Sequence, residues 1–289
     1  MLRGYGRIAP TQRGGYRLAR TARGLLPRSQ WAGTFAPRPG MRLNLDLGTY
    51  PDCCMAVGLF ELDTERLLRK LLRPGGHFVD GGANLGYFTL LAAGLVGGGT
   101  GGGTGGGAGR VDAFEPDPLN RAALEAHISL NGVGGQVHVH PLALGEKPER
   151  LTLHHPAGDG QNHGQASLLA ELAPGGQRFE VEVVRADAVI TRTPDVVKLD
   201  VEGAELPAIR GMAAWLAGES PPAMVIEHNP VTARAAGHTP GDVWRVIKEI
   251  QPRYELYWIG RRLVHLPSAE AVDALLREGN LLARVPAAQ

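Results

Sequence analysis

Acidic residues in this 289-residue chain gather where short apolar runs end, a placement that can do chemistry. Val79 to Gly86 reads VDGGANLG, with Asp80 directly before a glycine-rich turn. Such a turn between a strand and a helix lets backbone approach a ligand closely, and Gly82, Asn84 and Gly86 shape it. An acid at that strand end suits a ligand with a cationic amino group better than a pyrophosphate. Glu115 ends the next apolar run, where open α/β sheets often place an acid on ribose hydroxyls. Val197 to Glu205 reads VKLDVEGAE and crowds Asp200, Glu202 and Glu205 together. Neighbouring carboxylates push one another's pKa upward, which suits a general base for a hydroxyl or a clamp for a cation. Glu227 and His228 close a later run, and His228 has the ordinary pKa best matched to neutral proton transfer. A tight structural turn, a helix cap or a solvated acid are the competing readings of these features. His154, His155 and His163 beside Asp159 match no zinc spacing, so no metal is expected.

The elements that must position these groups alternate. Residues 61–72 read as a helix with Asp63 or Thr64 as its cap, and 77–80 as a strand running into the turn. Residues 87–95 then read as a helix, 110–114 as a strand and 118–130 as a helix that Asp117 can cap. Further strands are expected at 137–140, 150–154, 179–184, 195–199 and 223–226, and further helices at 205–215, 239–250 and 269–276. Residues 255–259 and 261–266 form a hairpin about Gly260. The pattern predicts an α/β fold with a seven-stranded, mostly parallel sheet, helices on both faces and a C-terminal antiparallel hairpin. The polar stretch 155–168 reads as a loop suited to substrate selection.

Composition narrows the partners. Thirty Lys and Arg against 29 Asp and Glu give a net charge of +1. That balance argues against a nucleic-acid coat or a polybasic membrane binder. No run approaches the roughly 18 apolar residues of a spanning helix, and a cytoplasmic location is expected. Adjacent Cys53 and Cys54 make no disulfide framework. Residues 1–42 hold nine Arg and no acid, leaving −8 for the remainder. They read as a flexible arm, with organelle targeting by that arm left open. Residues 43–289 read as a single domain. Its insert at 97–107 has nine Gly in eleven positions and reads as a flexible loop. That insert also explains much of the 35-residue interval between Asp80 and Glu115, against about 20 in dinucleotide folds.

Three blocks together resemble the FkbM family of S-adenosylmethionine-dependent methyltransferases. They are Val79-Asp80 with Gly82-Ala83-Asn84 and Gly86-Tyr87; Phe114-Glu115-Pro116 with Asn131; and Lys198 with Asp200-Val201-Glu202-Gly203 and Glu205. Gly58 and Glu61 upstream, and Pro222 and Glu227 downstream, continue the match. The resemblance implies a Rossmann-like class I methyltransferase fold and S-adenosyl-L-methionine as cofactor. Asp80 would then sit near the methionine end, Glu115 on the ribose hydroxyls and Ala143 beside the adenine. The implied reaction is methyl transfer to a hydroxyl of a small molecule or glycan. The general base is left open among Asp200, Glu202, Glu205, Glu227 and His228. The alternative is a non-catalytic module of the same fold that binds the cofactor or a nucleotide. A dehydrogenase is disfavoured by the acid-rich third block. Oligomeric state is not readable.

Overall fold

A computed structural model of the chain describes residues 21, 23, 24, 26–98, 109–157, 166–173 and 175–286. A hairpin of β1 (Ala32–Arg38) and β2 (Met41–Asp46) comes first. Helices α1 (Asp52–Ala56) and α2 (Leu62–Leu71) lead to β3 (His77–Gly81), α3 (Tyr87–Val96), β4 (Arg110–Phe114), α4 (Pro118–Asn131) and β5 (Val137–His140). A small separate sheet follows, made of β6 (Ala143–Leu144), β7 (Glu149–His155) and β8 (Gln177–Val184) in the order β6-β8-β7. The chain returns through α5 (Ala186–Val189) to β9 (Val196–Leu199), α6 (Glu205–Arg210), α7 (Ala213–Leu216) and β10 (Ala223–His228). It ends with α8 (Pro230–Ala235), α9 (Gly241–Ile250), β11 (Glu255–Trp258), β12 (Val264–Leu266), α10 (Ala269–Asp273) and β13 (Gly279–Arg284).

The main sheet runs β12-β11-β13-β10-β9-β3-β4-β5. Strands β10, β9, β3, β4 and β5 are parallel, whereas β13, β11 and β12 are antiparallel. Central strands covered on both faces need apolar residues at successive positions, and these have them. Phe78, Val111, Val196 and Val225 pack on one face with Leu68, Leu91 and Leu124. Val79, Phe114, Val197 and Met224 pack on the other with Ile209, Trp215 and Leu216. The chain winds outward from β3 through β4 to β5, then restarts at β9 and winds the opposite way. The carboxyl ends of β3 and β9 therefore flank a crevice, the usual ligand site of such sheets.

The α/β architecture and its C-terminal hairpin stand as the sequence implies, with an eighth strand. Residues 279–284 form β13, inserted between β10 and β11. A short apolar run, Leu281-Leu282-Ala283, has too few residues for its period to declare a strand. The helix expected over 269–276 ends at Asp273 to make room. The helix expected over 205–215 breaks into α6 and α7 around Gly211 and Met212. Asp117 does cap α4, accepting from the amides of Leu119 at 2.8 Å and Asn120 at 3.4 Å. Glu61, rather than Asp63 or Thr64, occupies the cap position of α2.

Residues 32–42, expected to belong to a flexible arm, are instead part of the first hairpin. Ala32–Arg38 is a strand, held by β2, whose Met41, Leu43 and Leu45 alternate into the core. Arg38 pairs with the buried Glu65. Strand β1 is largely exposed, so its sequence carries no period. Residues 1–20, and all but Gly97 and Gly98 of the glycine run, lie outside the described residues. So do Asp159 and His163 of the polar stretch.

Candidate active site

The cleft at the crevice has a volume of about 1290 Å³, including its open mouth. Its first wall is the turn from β3 into α3. Gly82 has φ 78°, and a Cβ there would lie 1.8 Å from the carbonyl oxygen of Asp200. Only glycine lets this turn press against the loop that follows β9. The amides of Gly82 and Ala83 both donate to the Phe114 carbonyl at 3.0 Å, which ties the turn to β4. Gly86, with φ 91°, does not reach the cleft; its missing side chain admits Leu124 of α4.

Glu115 completes that wall. Its carboxylate accepts the Asn84 amide at 2.7 Å and the Asp117 amide at 2.9 Å. Burial nonetheless pushes its pKa up to about 8. Two backbone donors leave a carboxylate with lone pairs for ligand hydroxyls. Ala143 lies farther along, between Leu142 and Leu144, on an apolar stretch of the same cleft. Pro116 and Phe114 line it too, which makes a slot suited to a flat ring.

Asp80 is fully buried on the cleft floor. One carboxylate oxygen accepts from the Thr89 hydroxyl at 2.6 Å; the other, Oδ1, has no hydrogen-bond partner. Burial raises its pKa to about 6 despite the nearby charge of Lys198. Lys198 is the cation at the centre. Its Nζ donates to Asp200 at 2.8 Å and stands 4.9 Å above the Phe88 ring centroid. Burial disfavours its charge, but Asp200, Glu61 and Asp80 outweigh that and raise its pKa.

Beyond Lys198 the cleft turns acidic. Asp200, Glu202 and Glu227 each bring a carboxylate oxygen within 4.8 Å of the other two. Burial, then the charge of Asp200, pushes Glu202 and Glu227 well above the usual carboxylate range. Glu227 Oε2 is buried without a hydrogen-bond partner. Glu61, Glu278, Tyr50 and Phe60 also line the cleft. Burial raises Glu61 to about 7, and its Oε2 accepts from Asn280 at 2.8 Å.

Two expected base candidates are placed elsewhere. His228 is buried on the opposite face of β10, because adjacent strand residues point to opposite sides. Its Nε2 donates to the Leu275 carbonyl at 3.0 Å, and its ring meets Trp258 edge-on. Burial lowers its pKa, and it does not line the cleft. Glu205 turns inward and accepts from the amides of Val201 at 3.1 Å and Gly203 at 3.3 Å. It braces the acidic loop and does not line the cleft. In sequence, Lys198 can neutralise Asp200 or Glu205 only if a bend brings them together, and the structure pairs it with Asp200; Glu61 is matched with no role. Lys198 and Glu61 belong to separate blocks 137 positions apart, and no local spacing reveals that each feels the other's charge.

The residues present fit S-adenosylmethionine. The unpartnered Asp80 oxygen can accept from a ligand amino group, Glu115 can accept from paired hydroxyls, and the Ala143 slot can hold a base. An open parallel sheet with acids ending its first two motif strands, and a glycine turn pressed on the loop after the third, defines a class I methyltransferase. The chain belongs to the FkbM methyltransferase family: the model of the Methyltransferase FkbM domain matches residues 80–254. It is 28% identical over 200 residues to a ribosomal protein L11 methyltransferase of Pelotomaculum thermopropionicum, covering 66% of this chain and 57% of that one. It is 28% identical over 157 residues to Methyltransferase 1 of Beauveria bassiana, covering 46% of this chain and 57% of that one. The chain thus spans 57% of the length of each of these curated relatives. A solved methyltransferase FkbM from Methylobacillus flagellatus superposes with a TM-score of 0.48 at 17% identity, covering 80% of this chain and 54% of that one.

Proposed function

We propose that this chain is an S-adenosylmethionine-dependent O-methyltransferase whose acceptor is a hydroxyl of a small molecule or saccharide. The observation that carries the reading is the buried, unpartnered Glu227 Oε2, set beside Asp200 and Glu202 at one end of the cofactor cleft. When bound, the cofactor supplies a methyl group on a positively charged sulfur. Asp80 would hold the amino end, Glu115 the ribose hydroxyls, and Ala143 would border the adenine. At the other end, Glu227 accepts the hydroxyl proton as the oxygen becomes nucleophilic, and burial beside Asp200 raises its affinity for that proton. Glu202 shares the negative environment that keeps Glu227 basic. Lys198 donates to Asp200 and so holds the third carboxylate in position. Tyr50 and Phe60 supply apolar surface on which an acceptor can lie while water is excluded.

The similarity to a ribosomal protein L11 methyltransferase favours a second reading, in which a protein amine is the acceptor. The same carboxylates would attract an ammonium group and take its proton. Incubation with isotopically labelled S-adenosylmethionine and a cell extract, followed by mass spectrometry of the product, separates the readings. Label on oxygen of a small molecule supports the first, and label on a protein nitrogen the second. Tight binding of S-adenosylhomocysteine without turnover on any acceptor would instead favour the non-catalytic module.

A further inference from the structure

A second, open groove, enclosing about 1630 Å³ with its solvent mouth included, lies at the antiparallel end of the sheet. It meets the acidic end of the cleft at Glu278, which lines both. Between them stands a hydrogen-bonded wall. Asn280 of β13 donates to Glu61 on the cleft side at 2.8 Å and to Thr64 on the groove side at 3.0 Å. The charge reverses across that wall. Arg261 and Arg262, in the β11–β12 connection, and Arg277, before β13, all line the groove. All three are exposed, and none makes an ion pair among the described residues. Arg277 is held in place over the Trp258 ring, 4.7 Å from its centroid. Of the groove's two acids, Asp63 is engaged by Arg66 at 2.7 Å, and Glu278 sits at the junction.

We infer that this groove binds an anionic group of the methyl acceptor, a phosphate or a carboxylate, while the acceptor's hydroxyl reaches Glu227. The inference rests on the O-methyltransferase reading and narrows it: the acceptor is an acidic molecule with a free hydroxyl. The carboxylates of the cleft repel an anion, so the acceptor can enter in only one orientation. Guanidinium groups suit the role because their planar fork matches phosphate and carboxylate oxygens. Stacking on Trp258 orients Arg277 before the ligand arrives.

The test uses the full chain, labelled S-adenosylmethionine and a deproteinised extract of small molecules. The labelled product is passed over an anion exchanger at neutral pH, then treated with phosphatase. Retention is expected; loss of retention after phosphatase identifies a phosphate, and persistence identifies a carboxylate. The double variant Arg262→Gln with Arg277→Gln should raise the acceptor KM at least about tenfold, the loss expected when charge-assisted bonds disappear. Its affinity for S-adenosylhomocysteine, measured by calorimetry, should stay within about twofold of the original. A labelled product that flows through uncharged, or an unchanged KM in the double variant, overturns the inference and leaves methyl transfer intact. Absence of any labelled product overturns both.

Discussion

Glu227 and His228 are neighbours in sequence with opposite fates. One ends its side chain, unpartnered, at the cleft; the other donates to a carbonyl on the far face of the sheet. Glu227→Gln should therefore lower turnover by about a hundredfold or more, a usual contribution of a positioned base, with cofactor affinity retained. His228→Ala should leave turnover within a few-fold and instead lower the melting temperature, because it removes a buried hydrogen bond and an aromatic contact. Steady-state kinetics and thermal melts of the two variants check this pair; a larger kinetic loss for His228→Ala would return the base to histidine. Lys198 tests the same environment from the cationic side. Lys198→Met would leave Asp80, Asp200 and Glu61 around a site without its cation. We expect a destabilisation of about 3–5 kcal/mol, as for a buried ion pair broken on one side. Denaturant unfolding measures it, and a loss below about 1 kcal/mol would show that Lys198 does not organise the floor.

At the scale of elements, the turn between β3 and α3 and the loop after β9 behave as one unit. Gly82 is the point of contact, and a methyl there would collide with the Asp200 carbonyl. Gly82→Ala should push the two apart and weaken S-adenosylhomocysteine binding by at least about tenfold, with a stability cost of about 1–3 kcal/mol for the strained φ. Calorimetric titration and a melt report the two effects, and retained affinity would mean the loop can retreat without disturbing the cleft. Much of this was legible in the sequence. Apolar runs that stop at an acid and a glycine turn declare parallel strands with a ligand edge, and Asp80, Gly82, Asn84, Glu115 and Asp200 all reach the cleft from those ends. What stayed hidden depends on direction or distance. Nothing in the order Glu227-His228 says which residue faces inward. Glu205 lies in a loop whose fold, not its composition, turns it toward two amides. Strand β13 is a short apolar run near the chain end, and its place in the middle of the sheet is set by pairing with β10 and β11. The charge of Lys198 acting on Glu61 and the hydrogen bond from Asn280 to Glu61 are tertiary.

For the whole molecule, the crowded carboxylates make stability and function oppose each other. Burial raises the pKa of Asp80 to about 6, of Glu61 and Glu205 to about 7, and of Glu115 to about 8. Unfolded carboxylates release their protons near pH 4. The folded chain thus holds protons that the unfolded chain has lost, and the stability this provides is present below about pH 4 and lost as pH rises toward 8. Asp112 and Glu65, whose pKa values are lowered, act in the other direction but only below the ordinary carboxylate range. The ligand-free protein should therefore melt at progressively lower temperature from about pH 5 to 8, and Glu227→Gln should raise the melting temperature at pH 8. A flat profile would mean that the acids are already neutralised by something other than protons. A cofactor with a cationic amino group and a pair of hydroxyls relieves the same strain, which is the physical basis of the central claim. Calorimetric titration of S-adenosylhomocysteine into the wild-type chain and into Glu115→Ala and Asp80→Ala tests it most directly. The account predicts one site on the wild-type chain and a weakening of about 1–3 kcal/mol in each variant, the usual worth of charge-assisted hydrogen bonds. Equal affinity in all three proteins, with each variant folded, would contradict it.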